Sequence, residues 1–261
     1  MAIGVQPYTL RYRVYDAKQL EETYKKLSEM GYDGPEGGMG ARFMSVDEDV
    51  ALLKKYGLRV ASCFGDLSKP DESMARAEKY GVKILGLPAI GGEMMHSPEG
   101  FKAYASQLNK MTEPFKGSGF RFQYHNHTQE FRNFPQLNGK SGMEILIDET
   151  APELIMFELD THWVAAAGGD PVWWINKVSG RIPIIHFKDY AIDWKAQDSN
   201  LGAVYKVFAE IGQGNINWPP IVEACKTAGV EWYIVEQDVT SRDEFECLKT
   251  SISFMKSIGV K

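Results

Sequence analysis

Short β-rich runs alternate with helical segments eight times along the chain, and this rhythm constrains the fold more than any other feature of the sequence. The runs cover residues 3–8, 34–36, 59–64, 83–88, 121–125, 155–160, 182–186 and 232–236. Helix starts can be read between them. Asp16 opens a segment with Leu20, Tyr24 and Leu27 on one face, and Ser45 with Glu48 forms a capping-box signature ahead of Val50, Leu52 and Leu53. Ser97-Pro98 and Asp170-Pro171 place proline at the first helical position behind a good cap. Gly31, Gly57, Gly81 and Gly229 each end a helix a few residues before the next run. Eight such βα units with right-handed crossovers predict one α/β domain over residues 1–261, folded as a (β/α)8 barrel. An open doubly wound sheet shares the alternation. Against it, Pro7-Tyr8-Thr9-Leu10 after the first run cannot cradle a pyrophosphate, and Gly212-Gln213-Gly214 reads as a turn.

Composition narrows the partners. The 261 residues are 44% hydrophobic and 25% charged, which excludes disordered and fibrous chains. Twenty-nine Lys and Arg against 35 Asp and Glu give a net charge of −6, which disfavours nucleic acid or an anionic membrane and favours a neutral or weakly anionic small molecule. Self-association into a homo-oligomer stays open. Cys63, Cys225 and Cys247 show no CxxC spacing and read as buried small hydrophobes, and Gln6, Arg11 and Arg13 interrupt any apolar leader. A reducing, cytoplasmic location is the expectation. No apolar run approaches the roughly 20 residues of a membrane span.

A barrel builds its active site at the C-terminal ends of its strands. Polar residues gather there: Glu36 closes the second run, His125-Asn126-His127 the fifth, Asp160 with His162 the sixth, His186 with Lys188 and Asp189 the seventh, and Glu236 with Asp238 the eighth. Asp160, His186 and Glu236 each follow mostly apolar residues, where an unpaired charge costs several kcal/mol to bury. A divalent cation would compensate them, and an oxygen-rich set suits Mn²⁺, Mg²⁺ or Co²⁺ better than a thiolate-preferring zinc site. A salt-bridge network through Lys188 and Arg181 is the structural alternative.

The stretches Tyr124-His125-Asn126-His127-Thr128-Gln129-Glu130-Phe131, Glu158-Leu159-Asp160-Thr161-His162-Trp163-Val164, Ala167-Gly168-Gly169-Asp170-Pro171, Arg181 to Asp189, Ile211 to Gly214 and Tyr233 to Asp238 resemble the sugar phosphate isomerase/epimerase family of the xylose isomerase-like TIM barrel superfamily. The resemblance runs over nearly the whole chain and is specific for the superfamily rather than for one substrate. It implies one divalent cation, Mn²⁺ first with Mg²⁺, Co²⁺ or Zn²⁺ as alternatives, held by Asp160, His186 and Glu236 together with a glutamate from the fifth run. There the sequence presents Gln123, so Glu130 is expected as the fourth ligand, with His125 or His127 as the fallback.

The implied chemistry is proton abstraction next to a sugar carbonyl through a metal-stabilised enediolate. Glu236 and Glu130 are the expected proton carriers. His125 and His127, alternating to one side of a strand end, resemble the histidine pair of the dehydratase branch. A metal-dependent sugar isomerase or epimerase is the leading expectation. A lyase or dehydratase acting on a keto-sugar, a keto-inositol or a 3-keto-glycoside is the runner-up. A DNA repair endonuclease, which shares the barrel, is set aside because the chain is acidic and has five histidines. Lys188 is expected to bind a substrate hydroxyl or carboxylate, with a salt bridge to Asp189 or Asp238 as the alternative, and Glu36 to touch substrate or support the residues that do, with helix capping as the alternative. Trp163 is chosen from Tyr8, Phe64, Trp163, Trp173, Trp174 and Trp218 as the ring-stacking aromatic. The long connection 189–218, polar at Asp193, Lys195 and Asp198, is expected to form a lid-like excursion.

Overall fold

The computed structural model describes residues 1–193 and 206–260. Its strands are β1 (Ala2–Val5), β2 (Gly34–Pro35), β3 (Ile84–Gly86), β4 (Arg121–His125), β5 (Asn133–Phe134), β6 (Lys140–Ser141), β7 (Ile155–Asp160), β8 (Ile184–Phe187), β9 (Asp189–Ile192), β10 (Lys206–Ala209) and β11 (Trp232–Val235). Its helices are α1 (Ala17–Met30), α2 (Val46–Lys55), α3 (Pro70–Tyr80), α4 (Pro98–Thr112), α5 (Gly142–Glu149), α6 (Thr161–Ala166), α7 (Pro171–Lys177), α8 (Trp218–Ala228) and α9 (Glu244–Ser257). The starts follow the caps read from sequence. Asp16 accepts from the Gln19 N–H, Ser45 and Glu48 complete their capping box, and Ser97 and Asp170 cap helices that begin with proline. Gly31, Gly57, Gly81 and Gly229 sit at φ between 68° and 84°, where a side chain is strained.

Seven strands form one parallel, curled sheet in the order β2-β1-β11-β8-β7-β4-β3. The eighth expected run, residues 59–64, is not a regular strand. It lies between the two edges and bonds to both. Toward β2, Arg59 N donates to Asp33 O at 2.9 Å and Ala61 N to Glu36 O at 2.9 Å. Toward β3, Cys63 N donates to Ile84 O and Gly86 N to Cys63 O, both at 3.0 Å, which makes one parallel bridge. The ladder breaks at Gly34, where the chain runs at φ 149° and the Arg59 carbonyl comes so close that a Cβ would stand 1.9 Å from it.

Strand alternation separates the two faces of the sheet. Ile155, Phe157, Leu159, Ile185, Phe187, Tyr233 and Val235 belong to the large apolar core beneath the helices. On the opposite, inner face a smaller cluster of Ala2, Ala61, Ile84, Ile184, Trp232 and Ile234 fills the space inside the curl. Two residues further along the same strands the inner positions turn polar, at His186 and Glu236, and the neighbouring strands add Gln123, His125, Glu158 and Asp160. The polar layer therefore sits on an apolar plug at the C-terminal end of the strands.

The described part of the connection after β8 includes an antiparallel ribbon of β9 and β10. Asp193 ends the ribbon's first half, while Lys195 and Asp198 lie outside the described residues. Asp189 secures its return. The buried carboxylate accepts N–H groups from Gly212 (3.0 Å), Gly214 (3.2 Å) and Ile216 (3.2 Å) and the Trp218 indole N–H at 2.8 Å. Gly212-Gln213-Gly214 is the turn these bonds fold. The three cysteines are free and buried, and no helix among the described residues is long and apolar enough to cross a membrane.

Candidate active site

A cavity of ≈ 430 Å³ opens at the C-terminal end of the sheet, lined by Gln6, Tyr8, Phe64, His125, His127, Glu158, His186, Lys188, Glu236 and Asp238. Parallel register explains the convergence. His125 pairs with Glu158 across β4 and β7, Asp160 with His186 across β7 and β8, and Ile234 with His186 across β8 and β11, so inward residues at the ends of four adjoining strands, some staggered by two positions, meet in one region.

His186 is the hub. Its Nδ1 lies 2.9 Å from Glu236 Oε2, while its Nε2 lies 3.0 Å from Glu36 Oε2 and 3.3 Å from Glu158 Oε1. Burial opposes a charge on this ring, but the three carboxylates hold its pKa well above the usual imidazole range. Burial likewise opposes ionisation of Glu158, yet His186 and His125 hold that carboxyl down to about 2. For Glu236, His186 and Lys188 overcome burial and lower the pKa. For Asp160 burial prevails and pushes the carboxyl up to about 6 against the pull of Lys188.

Lys188 is almost completely buried, with Nζ 2.7 Å from Asp238 Oδ2, 3.4 Å from Glu236 Oε2 and 3.7 Å from Asp160 Oδ2. Its ammonium also lies 4.9 Å from the centre of the Trp163 ring. Beneath His186, Glu36 accepts from Gln6 Nε2 (2.6 Å), Ser62 Oγ (3.2 Å) and Gln123 Nε2 (2.9 Å). Gln123 Nε2 also donates to Glu158 Oε1 at 3.0 Å. Burial and the nearby Glu158 push the Glu36 carboxyl up.

The residues fit a divalent cation. Donor atoms of His125, Asp160, His186 and Glu236 all lie within 4.8 Å of one another. Asp160 Oδ2 is buried and makes no hydrogen bond, although Oδ1 of the same carboxylate caps α6 through the Trp163 N–H at 3.1 Å. Five carboxylates, Glu36, Glu158, Asp160, Glu236 and Asp238, meet one ammonium and two imidazoles. The deficit must be met by protons or by a metal. The set holds nitrogen and oxygen donors and no thiolate, which suits a first-row divalent ion with open positions.

Asp160, His186 and Glu236 thus come together as the sequence leads one to expect. Glu130 does not. Its Oε1 accepts the Tyr124 hydroxyl at 2.6 Å and its Oε2 the His127 backbone N–H at 3.0 Å, so the carboxylate is spent pinning the loop after β4 and lies outside the converging donors. His125, the fallback, stands in the cluster instead, its ring 4.5 Å from that of His186. His127 lies 5.1 Å from His125 and 5.7 Å from Trp163 between ring centres, and burial lowers its pKa to about 4. Glu36 lies under His186 rather than on the cavity wall.

Glu158 is the residue that sequence reasoning missed. It stands two positions before Asp160 in a strand, so it shares the inward face, and that spacing was the available signal. Gln6 and Ser62 carried no such signal, because only the fold brings them to Glu36.

The chain resembles known proteins over most of its length. The chain is 26% identical over 273 residues to an inosose dehydratase of Mesomycoplasma hyopneumoniae, covering 92% of this chain and 88% of that protein. A sugar phosphate isomerase/epimerase from Parabacteroides distasonis superposes with a TM-score of 0.77 at 23% identity, covering 98% of this chain and 94% of that one. The probable 3-DHS dehydratase AsbF of Bacillus anthracis superposes with a TM-score of 0.73 at 15% identity, covering 98% and 99%. The sequence profile of the xylose isomerase-like TIM barrel family matches residues 24–258, and the chain belongs to that family.

Proposed function

We propose that this protein is a divalent-metal-dependent enzyme that removes the proton next to the carbonyl of a keto-sugar or keto-cyclitol and expels an oxygen substituent from the adjoining carbon. The observation that carries the reading is the buried, unsatisfied Asp160 Oδ2 facing donors of His125, His186 and Glu236 at the floor of a cavity with polar and aromatic walls. Asp160, His186, Glu236 and His125 would hold the cation, Mn²⁺ by preference. When bound, it polarises a carbonyl and its neighbouring hydroxyl and so acidifies the adjacent C–H.

The chain's own groups do the rest. Glu236 and His127 both line the cavity; Glu236, held ionised by His186 and Lys188, takes the C–H proton and passes it to the departing oxygen, which the His127 imidazole hydrogen-bonds. The electron pair of the C–H bond becomes the new C=C bond, and the C–O pair leaves on oxygen as water or an alcohol. Lys188 orients substrate oxygens, and Trp163, Tyr8 and Phe64 supply ring faces. The segment 59–63 serves in this reading as the eighth stave of a closed, single-domain barrel, and a cytoplasmic location accords with three free thiols.

Elimination is favoured over two-carboxylate epimerisation by one feature. Gln123, where the family resemblance implies a glutamate, donates to Glu36 and Glu158, and Glu130 is spent on Tyr124, so neither position offers a free carboxylate, while His125, His127 and His186 bring three imidazoles to the cavity. The resemblance to an inosose dehydratase over most of the chain also supports it. Isomerase or epimerase action is the second reading.

Incubation with inosose and with 3-keto-glucosides in D₂O separates the two. Loss of water or of an aglycone is the expected result, and deuterium uptake with the mass otherwise conserved transfers the assignment to an epimerase. Elemental analysis of wild type, Asp160→Ala and His186→Ala should show one ion per chain only in the wild type. Equal occupancy in all three removes the ligand assignment.

A further inference from the structure

Glu158 is the one carboxylate of the site that faces two imidazoles through different oxygens. Its Oε2 lies 3.4 Å from His125 Nδ1, and its Oε1 lies 3.3 Å from His186 Nε2. His125 Nδ1 is buried and makes no well-formed hydrogen bond, so Glu158 is the acceptor available to it. His186 Nε2 also faces Glu36 Oε2 at 3.0 Å. Gln123 Nε2, donating to Glu36 Oε1 and Glu158 Oε1, fixes how the two carboxylates present themselves.

A ring nitrogen facing a carboxylate carries the proton, which leaves the other nitrogen of that ring as the one with a free lone pair. For His125 that other nitrogen is Nε2, 4.0 Å from Asp160 Oδ2. His186 meets a carboxylate at each nitrogen, Glu36 at Nε2 and Glu236 at Nδ1, so Glu158 does not decide its tautomer. One donor atom each of His125, Asp160, His186 and Glu236 converge within 4.8 Å of one another. The register puts His125 directly beside Glu158 on the next strand.

We propose that Glu158 is a positioning residue that sets the tautomer of His125, so that His125 Nε2 completes a two-imidazole, two-carboxylate cation site with Asp160, His186 and Glu236. This rests on the metal-dependent reading given above and deepens it. Two imidazoles move the preference of the site away from Mg²⁺ and toward Mn²⁺, Co²⁺ and Zn²⁺.

The test pairs ¹⁵N-histidine NMR of cation-free and Zn²⁺-loaded protein, assigned with His125→Ala and His186→Ala, with Zn²⁺ affinity measured by chelator competition. Cation-free wild type should show a proton on His125 Nδ1. Glu158→Gln, which keeps the volume and removes the charge, should scramble this assignment and weaken Zn²⁺ binding about 10- to 100-fold, while the His186 nitrogens, still faced by Glu36 and Glu236, keep their signals. Glu158→Asp, which keeps the charge, should recover part of the affinity, and it provides the comparison if the glutamine variant does not fold. Wild-type tautomers and wild-type affinity in Glu158→Gln overturn the proposal. Wild-type protein that binds neither Zn²⁺ nor Mn²⁺ overturns the cation reading itself, a separate outcome because the tautomers are read in cation-free protein as well.

Discussion

At the scale of single residues, Asp160 shows how one side chain can serve structure and chemistry with different atoms. Its Oδ1 caps a helix, while its Oδ2 makes no hydrogen bond and has the Lys188 ammonium 3.7 Å away. Asp160→Asn keeps the cap and removes the charge. Metal-free protein carrying it should gain on the order of 1 kcal/mol, because an incompletely compensated buried charge is gone, and should lose most of its metal affinity. Urea unfolding in the presence of a chelator and a metal titration check the two halves. Trp163 makes a different claim. Its ring lies beside His127 and Lys188, and Trp163→Ala should cost about 1 kcal/mol of substrate binding, read as a higher KM with kcat changed less. A fall in kcat at constant KM would remove the stacking role. Asp160, His186 and Glu236 were legible because charged residues at the ends of apolar runs are conspicuous. Glu130 misled because it is as charged as they are, and only its bonds to Tyr124 and His127 show it to be occupied elsewhere.

At the scale of elements, most helix starts were legible because a cap needs only two or three neighbouring residues. The start of α5 is the instructive omission. Ser141 and Glu144 form a full capping box, and Lys177 from α7 joins it at 2.8 Å from Glu144 Oε1. Ser141→Ala should cost about 1 kcal/mol in chemical denaturation. Burial pushes the Glu144 carboxyl up, but Lys177 and Ser141 pull harder and leave it below the usual carboxylate range. A folded-state value below the unfolded one means the stabilisation is present above about pH 4.3 and is lost as pH falls through the lowered value. The difference in melting temperature between wild type and Glu144→Gln should therefore shrink on acidification, and a difference constant from pH 3 to 7 would rule this origin out. The short strands were less legible. Residues 59–64 have the composition of a strand, yet regular pairing fails because Gly34 lets the neighbouring chain approach in a way no ladder allows.

At the scale of the whole molecule, residues 59–63 bond to both edges of the sheet, and Gly34 is where they meet the β2 edge. Gly34→Ala would push a methyl group into the Arg59 carbonyl at a backbone angle of 149° and should cost on the order of 3 kcal/mol. Faster amide exchange at Cys63, with exchange in β7 and β8 unchanged, would place the damage at the seam, while uniform protection would remove the seam's importance. By itself the sequence determined the βα rhythm, the helix caps, the apolar plug with polar strand ends, and three residues of the site, since each of these depends on order within a short window. Only the tertiary structure decided which imidazole joins them, that Glu158 and Glu36 stand behind His186, and that Glu130 turns away. The physical reason is that these outcomes depend on inter-strand register and on competition for buried hydrogen-bond donors among residues as much as 150 positions apart, such as Glu36 and His186, and neither is encoded in any local pattern of residues.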